Sequence, residues 1–336
     1  MTLASPLRLP LLGALLGFHL VVAAAPAAPA AVSFDTTPRA GQHQRQTIDM
    51  QMLMTMRAEA APEASEEQRA KIAQAAAQMA QAGPVKVSTR MRQTMKVGAA
   101  DDAGWLPMTV SVAHQGGSVE VGGKATPLPQ AQAADVSFSA RFNPKDFGFE
   151  LGRFDAGSPE VNALMATQGQ AMIGEALQLY KALAQRPLKV GESVELPMTM
   201  ALPMPLPGGA GAMQGRLRYT LARVAKGVAH FDLDMDLKMD ISAPLPQPAQ
   251  AASAASAADT DAADTPPQML RMVATGSGKG TSSLRLSDRL PLANRLAMRM
   301  QMAMNGPDNG RMAFDMDMVM QSKGESLARP VSRKKP

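Results

Sequence analysis

Residues 296–305 read LAMRMQMAMN, and residues 312–320 read MAFDMDMVM. Met298, Met300, Met302 and Met304 occupy every second position of the first stretch. Met312, Met316, Met318 and Met320 fall on the matching positions of the second, with Phe314 between them. A period of two is the side-chain period of a β-strand, so each stretch predicts a strand with one thioether face and one polar face. The intervening Asn305–Gly306–Pro307–Asp308–Asn309–Gly310 is a turn cluster, which predicts antiparallel pairing of the two. Setting Met300 opposite Met316 places Arg299 opposite Asp317 and Gln301 opposite Asp315. Charge then meets charge on one side while methionines meet on the other.

The same pattern recurs along the chain. Residues 50–56 are MQMLMTM. Ile48, Met50, Met52, Met54 and Met56 share one face, and Asp49, Gln51 and Thr55 the other, with Leu53 breaking the polar side. Val85–Val97 alternates valine and methionine with Lys86, Arg90, Arg92 and Lys96. Further short strands are expected at 106–114, 118–122, 135–142 and 146–151. A second run follows: Val194 to Met200, Leu217 to Leu221, and Phe231 to Ile241, where Asp232, Asp234, Asp236, Lys238 and Asp240 form the outer face. Ala225–Lys226–Gly227 reads as a hairpin turn. The last strands are expected at 269–276, 281–287, 294–305 and 310–321.

Two segments carry helical rather than strand signals. Residues 62–82 have Ser65 as a cap with Gln68 three positions on, and Gly83–Pro84 as a stop. Ser158–Pro159–Glu160 starts a longer helix expected over 158–185, with Met165, Met172, Leu177, Tyr180 and Leu183 on its apolar stripe. The expected fold class is therefore mainly β with one long α-helix. It is a curved antiparallel sheet or half-barrel with the central helix on the concave face. Two organisations stay open: one large sheet, or two similar halves, 44–152 and 187–321, joined by helix 158–185.

The N-terminal thirty residues read as a signal peptide: Arg8, the uncharged run LLGALLGFHLVVAAA, then small residues, with cleavage expected from Ala25 to Ala30. Residues 31–321 are the expected β-rich domain. Within it, 243–268 is low-complexity and expected to be a mobile loop. Residues 322–336 are expected to be a disordered basic tail. No second apolar run reaches spanning length, so no transmembrane segment is expected in the mature chain. The expected location is the periplasm, with the extracellular medium as the alternative.

Composition removes several function classes. The 336 residues include 27 methionines, four histidines and no cysteine, with a net charge of +5 and 4% aromatics. Without cysteine there is no disulfide and no thiolate nucleophile. Sparse aromatics and interspersed charge argue against nucleic acid as a partner. GSGKGT at 276–281 resembles the end of a phosphate-binding loop. That pattern needs a glycine five residues before Gly278, where Val273 stands, and a following helix, where TSSLRLS alternates like a strand. Its glycines read as a bulge or turn between strands. His43, His114 and His230 stand singly, without HxH or HExxH spacing, and no G-x-S-x-G elbow is present. The expectation is a non-enzyme with no cofactor.

Three readings of the methionines remain: plain core, a soft adaptable surface for an apolar ligand, or a copper(I) site. The ligand-lining candidates are Met50, Met52, Met54, Met298, Met300, Met302, Met316 and Met318 on strands, with Met165 and Met172 on the helix. The expected role is binding a lipid or lipopeptide, or serving as an envelope structural component; the alternative is periplasmic copper(I) binding. Protein partners stay open.

In PLKVGESVELP (187–197), Pro187, Lys189, Val190, Gly191 and Glu192 carry a likeness. The stretch resembles a group of exported bacterial proteins with a mid-chain Pro, Lys-Val-Gly-Asp/Glu motif followed by a strand; Val194 stands where that group often has tryptophan. More distantly, the layout is similar to the half-barrel of lipoprotein carriers. That resemblance implies a curved sheet wrapping a helix over an apolar cavity. Fold alone does not bring function with it.

Overall fold

The computed structural model describes residues 31–128, 135–155, 159, 162, 174, 177, 178, 180–201, 210–244, 269–305 and 310–327. Alternation dictates the elements. The strands are β1 (His43–Ala60), β2 (Val85–Val97), β3 (Leu106–Val121), β4 (Lys124–Pro127), β5 (Val136–Asn143), β6 (Gly148–Asp155), β7 (Ser193–Ala201), β8 (Ala210–Ala225), β9 (Val228–Pro244), β10 (Met269–Arg285), β11 (Leu290–Asn305) and β12 (Gly310–Ser326). The helix α1 (Glu66–Ala82) lies between β1 and β2 and begins with the expected capping box of Ser65 and Gln68. No helix among the described residues is long and apolar enough to cross a membrane.

All the strands form one antiparallel sheet in the order β6-β5-β3-β2-β1-β12-β11-β10-β9-β8-β7, with β4 on β3. Its centre is the pairing of the first strand with the last, Met52 opposite Met318. Each half of the chain then runs outward from that seam, so the two halves make one sheet. The sheet is open, with β6 and β7 as its edges.

The register between β11 and β12 is the expected one: Met300 faces Met316 and Arg299 faces Asp317. Lys226 and Gly227 turn the β8–β9 hairpin at φ 50 and 72, the positive values that a two-residue hairpin turn requires.

Several expectations change. The stretch 106–122 holds one strand, Leu106–Val121, whose pairing with β2 shifts register between Arg90 and Met91. GSGKGT lies in the interior of β10 and is neither a turn nor a break between strands. The glycines at 276, 278 and 280 keep the pairing of β10 with both neighbours. The folded part runs past residue 321, because Ser322 is buried and accepts a hydrogen bond from Asn294 Nδ2 at 3.1 Å. The expected disordered tail therefore cannot start there. The lead-in 31–43 supplies core: Phe34 is 1% exposed, and Val32 bridges Leu188.

Of the expected helix 158–185, residues 159, 162, 174, 177, 178 and 180–185 are described as helical. Met165 and Met172 lie outside the described residues, as do most of the low-complexity stretch 243–268 and the segment 1–30. Leu183 packs with Phe34, Leu188, Val194, Leu221, Phe231 and Leu233 in the main buried cluster. That cluster covers the apolar face of β7, β8 and β9.

The sheet curls toward this face. Phe142 on β5 and Pro291 on β11 are separated by β3, β2, β1 and β12, roughly 24 Å in a flat sheet. Both nonetheless line one cavity of about 330 Å³ together with Leu177 and Tyr180.

Candidate functional site

Antiparallel partners put their side chains on one face, so the register assembles the site directly. Met52, Met318 and Met298 form one row across β1, β12 and β11. Met54, Met316 and Met300 form the next. Met50 pairs with Met320, which pairs with Leu296, and Met56 pairs with Phe314, which pairs with Met302. Eight expected residues (Met50, Met52, Met54, Met298, Met300, Met302, Met316, Met318) thus share one contiguous patch. Each is half-buried. Met304 and Met312 extend the patch at one end.

Beside the methionines, β10 turns Ala274, Gly276, Gly278 and Gly280 toward the same face. The neighbours lean over these gaps. A Cβ added at Gly276 would meet Met300 Cγ at 2.9 Å, and one at Gly278 would meet Met235 Cε at 3.3 Å. The glycine column is therefore roofed by thioether and leucine side chains, which are soft and can re-pack. Sequence reasoning missed this role for the glycines. The available signal was their own period of two, in phase with the strand.

The reverse face is charged and paired across strands. Arg299 Nε lies 2.8 Å from Asp317 Oδ1, Arg57 Nη2 2.6 Å from Asp315 Oδ2, Arg216 Nη2 3.1 Å from Asp236 Oδ2, and Arg271 Nη2 2.7 Å from Asp240 Oδ2. The hydrogen bond from Arg271 holds the Asp240 carboxyl below its ordinary range. Such exposed pairs add little stability each. Their consequence is register: a slip of one residue would turn every charge onto the methionine side.

Toward the end of the patch the inward face becomes polar. Ser282 Oγ donates to Asn294 Oδ1 at 2.5 Å, and Asn294 Nδ2 donates to Ser322 Oγ. On β1 and β2 the corresponding positions are Gln44, Gln46 and Gln93. They line the 330 Å³ cavity with Met95, Met108, Phe142, Leu177, Tyr180, Thr37 and Arg289. Arg289 has a positive φ of 58 and a side chain 11% exposed, held by Asp35 and by Thr37 Oγ1 at 2.8 Å. Burial lowers its guanidinium pKa. Nearby, burial pushes the Tyr219 hydroxyl up to about 12, and Tyr180 adds to the shift.

No protein-family model matches the sequence, and no curated protein matches it either. Among solved structures, the chain is similar to the crystal structure of Pseudomonas aeruginosa OpdQ at 6% identity and a TM-score of 0.28, covering 86% of this chain and 98% of that one. It is similar to Pseudomonas aeruginosa OccK7 (OpdD) at 6% identity and 0.21, covering 86% and 100%. For the InvG secretin domain β-barrel from the Salmonella SPI-1 injectisome the values are 8% and 0.12, covering 88% and 66%. At these scores none of the three transfers a function or a detailed fold.

Proposed function

We propose that the chain is an exported, non-enzymatic binder of an apolar ligand, a lipid or lipopeptide, seated on the methionine face of the sheet. One observation carries the reading. The patch is apolar, contiguous and only half-buried, on the side toward which the sheet curls. A solid core would bury these side chains, as it does at β7–β9. An unbranched thioether surface adapts to ligands of varied shape. The polarity also supports a water-borne carrier. A membrane-spanning barrel turns its apolar residues outward to lipid and its polar ones inward, whereas here the inward face is the apolar one. Export to the periplasm rests on the composition of residues 1–30.

A second reading has a specific observation behind it. The rows Met52–Met318–Met298 and Met54–Met316–Met300 each set three thioethers on adjacent strands, the soft donor type that suits copper(I).

Native mass spectrometry of the exported protein, purified without detergent, separates the two. An adduct of lipid mass that delipidation removes supports the carrier. A copper adduct that a thioether-competing chelator strips overturns it in favour of the metal. A bare chain under both conditions leaves an envelope structural component.

A further inference from the structure

The inward face of β1–β3 carries a set of polar side chains. On β10–β12 the inward polar residues satisfy one another through Ser282, Asn294 and Ser322. On β1–β3 only Gln44 is so held, accepting from Gln42 Nε2 at 3.3 Å and donating to Met95 Sδ at 3.8 Å. Among the described residues, the Gln46 and Gln93 side-chain amides, opposite each other across β1 and β2, have no hydrogen-bond partner. His114 Nε2 and Thr89 Oγ1 on the same face are buried without partners. Buried polar groups in folded proteins are normally satisfied; the Gln46 and Gln93 amides are half-buried on the cavity wall, where they are open to a partner that enters it.

The cavity tells what that partner is. Gln46 and Gln93 present both amide donors and carbonyl acceptors to it. The lining has no carboxylate, and the charge of its one cation, Arg289, is matched by Asp35; Thr37 takes a further hydrogen bond, and only the buried Nε of Arg289 is left without a partner. A group that both gives and takes hydrogen bonds without net charge fits best. The same β1 face continues from Gln46 through Ile48 and Met50 to Met56, roughly 33 Å of strand without a charged inward side chain.

We propose that this cavity holds the uncharged hydroxyl- or ester-bearing head of a single-chain amphiphile whose tail lies along the methionine rows. The inference rests on the apolar-ligand reading and adds the ligand's polarity and direction. Gln46 and Gln93 contact the head; the thioethers contact the tail.

The test compares the exported protein with its Gln46→Leu/Gln93→Leu variant, using monopalmitin, palmitic acid and hexadecane as probes in a fluorescent-lipid displacement assay. The wild type is expected to prefer monopalmitin over both others. The double variant is expected to bind monopalmitin roughly tenfold more weakly and hexadecane unchanged. Equal binding of monopalmitin by both proteins, or a wild-type preference for palmitic acid, overturns the head-group site and leaves the carrier reading standing. Failure of the wild type to bind any probe overturns both. If the double variant does not fold, Gln93→Asn, which withdraws the amide while keeping its polarity, reads out the same contrast.

Discussion

Two neighbourhoods of one sheet face arise from the same alternating pattern and end differently. On β7–β9, Val194, Leu221, Phe231 and Leu233 are nearly inaccessible, sealed by Leu183, Leu188 and Phe34. On β1, β12 and β11, the methionines opposite one another stay half-buried. In the first region aromatic rings interlock: Phe231 stands 5.3 Å from Phe34 and 6.0 Å from Tyr219, centroid to centroid. In the second, unbranched side chains lie side by side, and at its border Met300 leans over Gly276 of β10. The first holds the fold and the second is available to something else. Alternation says which face is apolar; it does not say what covers that face.

The contrast is open to direct attack. Phe231→Ala should cost about 3–5 kcal/mol in urea unfolding, the range for an aromatic removed from a sealed core. A loss below about 1 kcal/mol would erase the distinction. The boundary comes next, at the row Met50–Met320–Leu296–Gly280–Leu233. A Cβ on Gly280 would meet the Arg295 carbonyl oxygen at 2.2 Å, whereas one on Gly278 finds nothing nearer than 3.2 Å. Gly280→Ala should therefore destabilise by about 1–3 kcal/mol and Gly278→Ala by clearly less; equal thermal midpoints for the two would contradict this close approach.

Within the methionine patch, Met318→Ala should cost only about 1 kcal/mol, since a half-exposed side chain forfeits less than a core one. The same change should weaken apolar-probe binding. Met318→Leu should keep both stability and binding if the patch is hydrophobic, and should abolish copper(I) uptake if sulfur is what matters. On the reverse face, Arg299→Gln should shift stability by less than about 1 kcal/mol, because the Arg299 and Asp317 side chains are 75% and 51% exposed. A larger loss, removed by salt, would show that the charged face does more than guard register.

Much of this was legible beforehand. The β11–β12 register, the Lys226–Gly227 turn and the Ser65 cap could be read because each depends on neighbours in sequence. The roles of Phe34 and of the β10 glycines could not. Phe34 sits in a stretch with no periodicity, and its burial depends on Phe231, nearly two hundred residues away. The glycines matter through the side chains of β9 and β11, which lean into the space they leave. Gln46 and Gln93 carry no local signal of a site; the sheet alone puts both on the wall of one cavity with Tyr180 and Phe142.

The sequence by itself determined that this chain is mainly β, that one strand face is rich in thioethers and that the other carries matched charges. These follow from a side-chain period of two and from local turn chemistry, which act over a few residues. Only the tertiary structure decided that the first strand pairs with the last, joining Met50, Met52 and Met54 to Met316 and Met318 in one patch. That pairing closes a loop of almost the whole chain. It is selected by apolar burial and complementary registers summed over the whole sheet, terms that no local window contains.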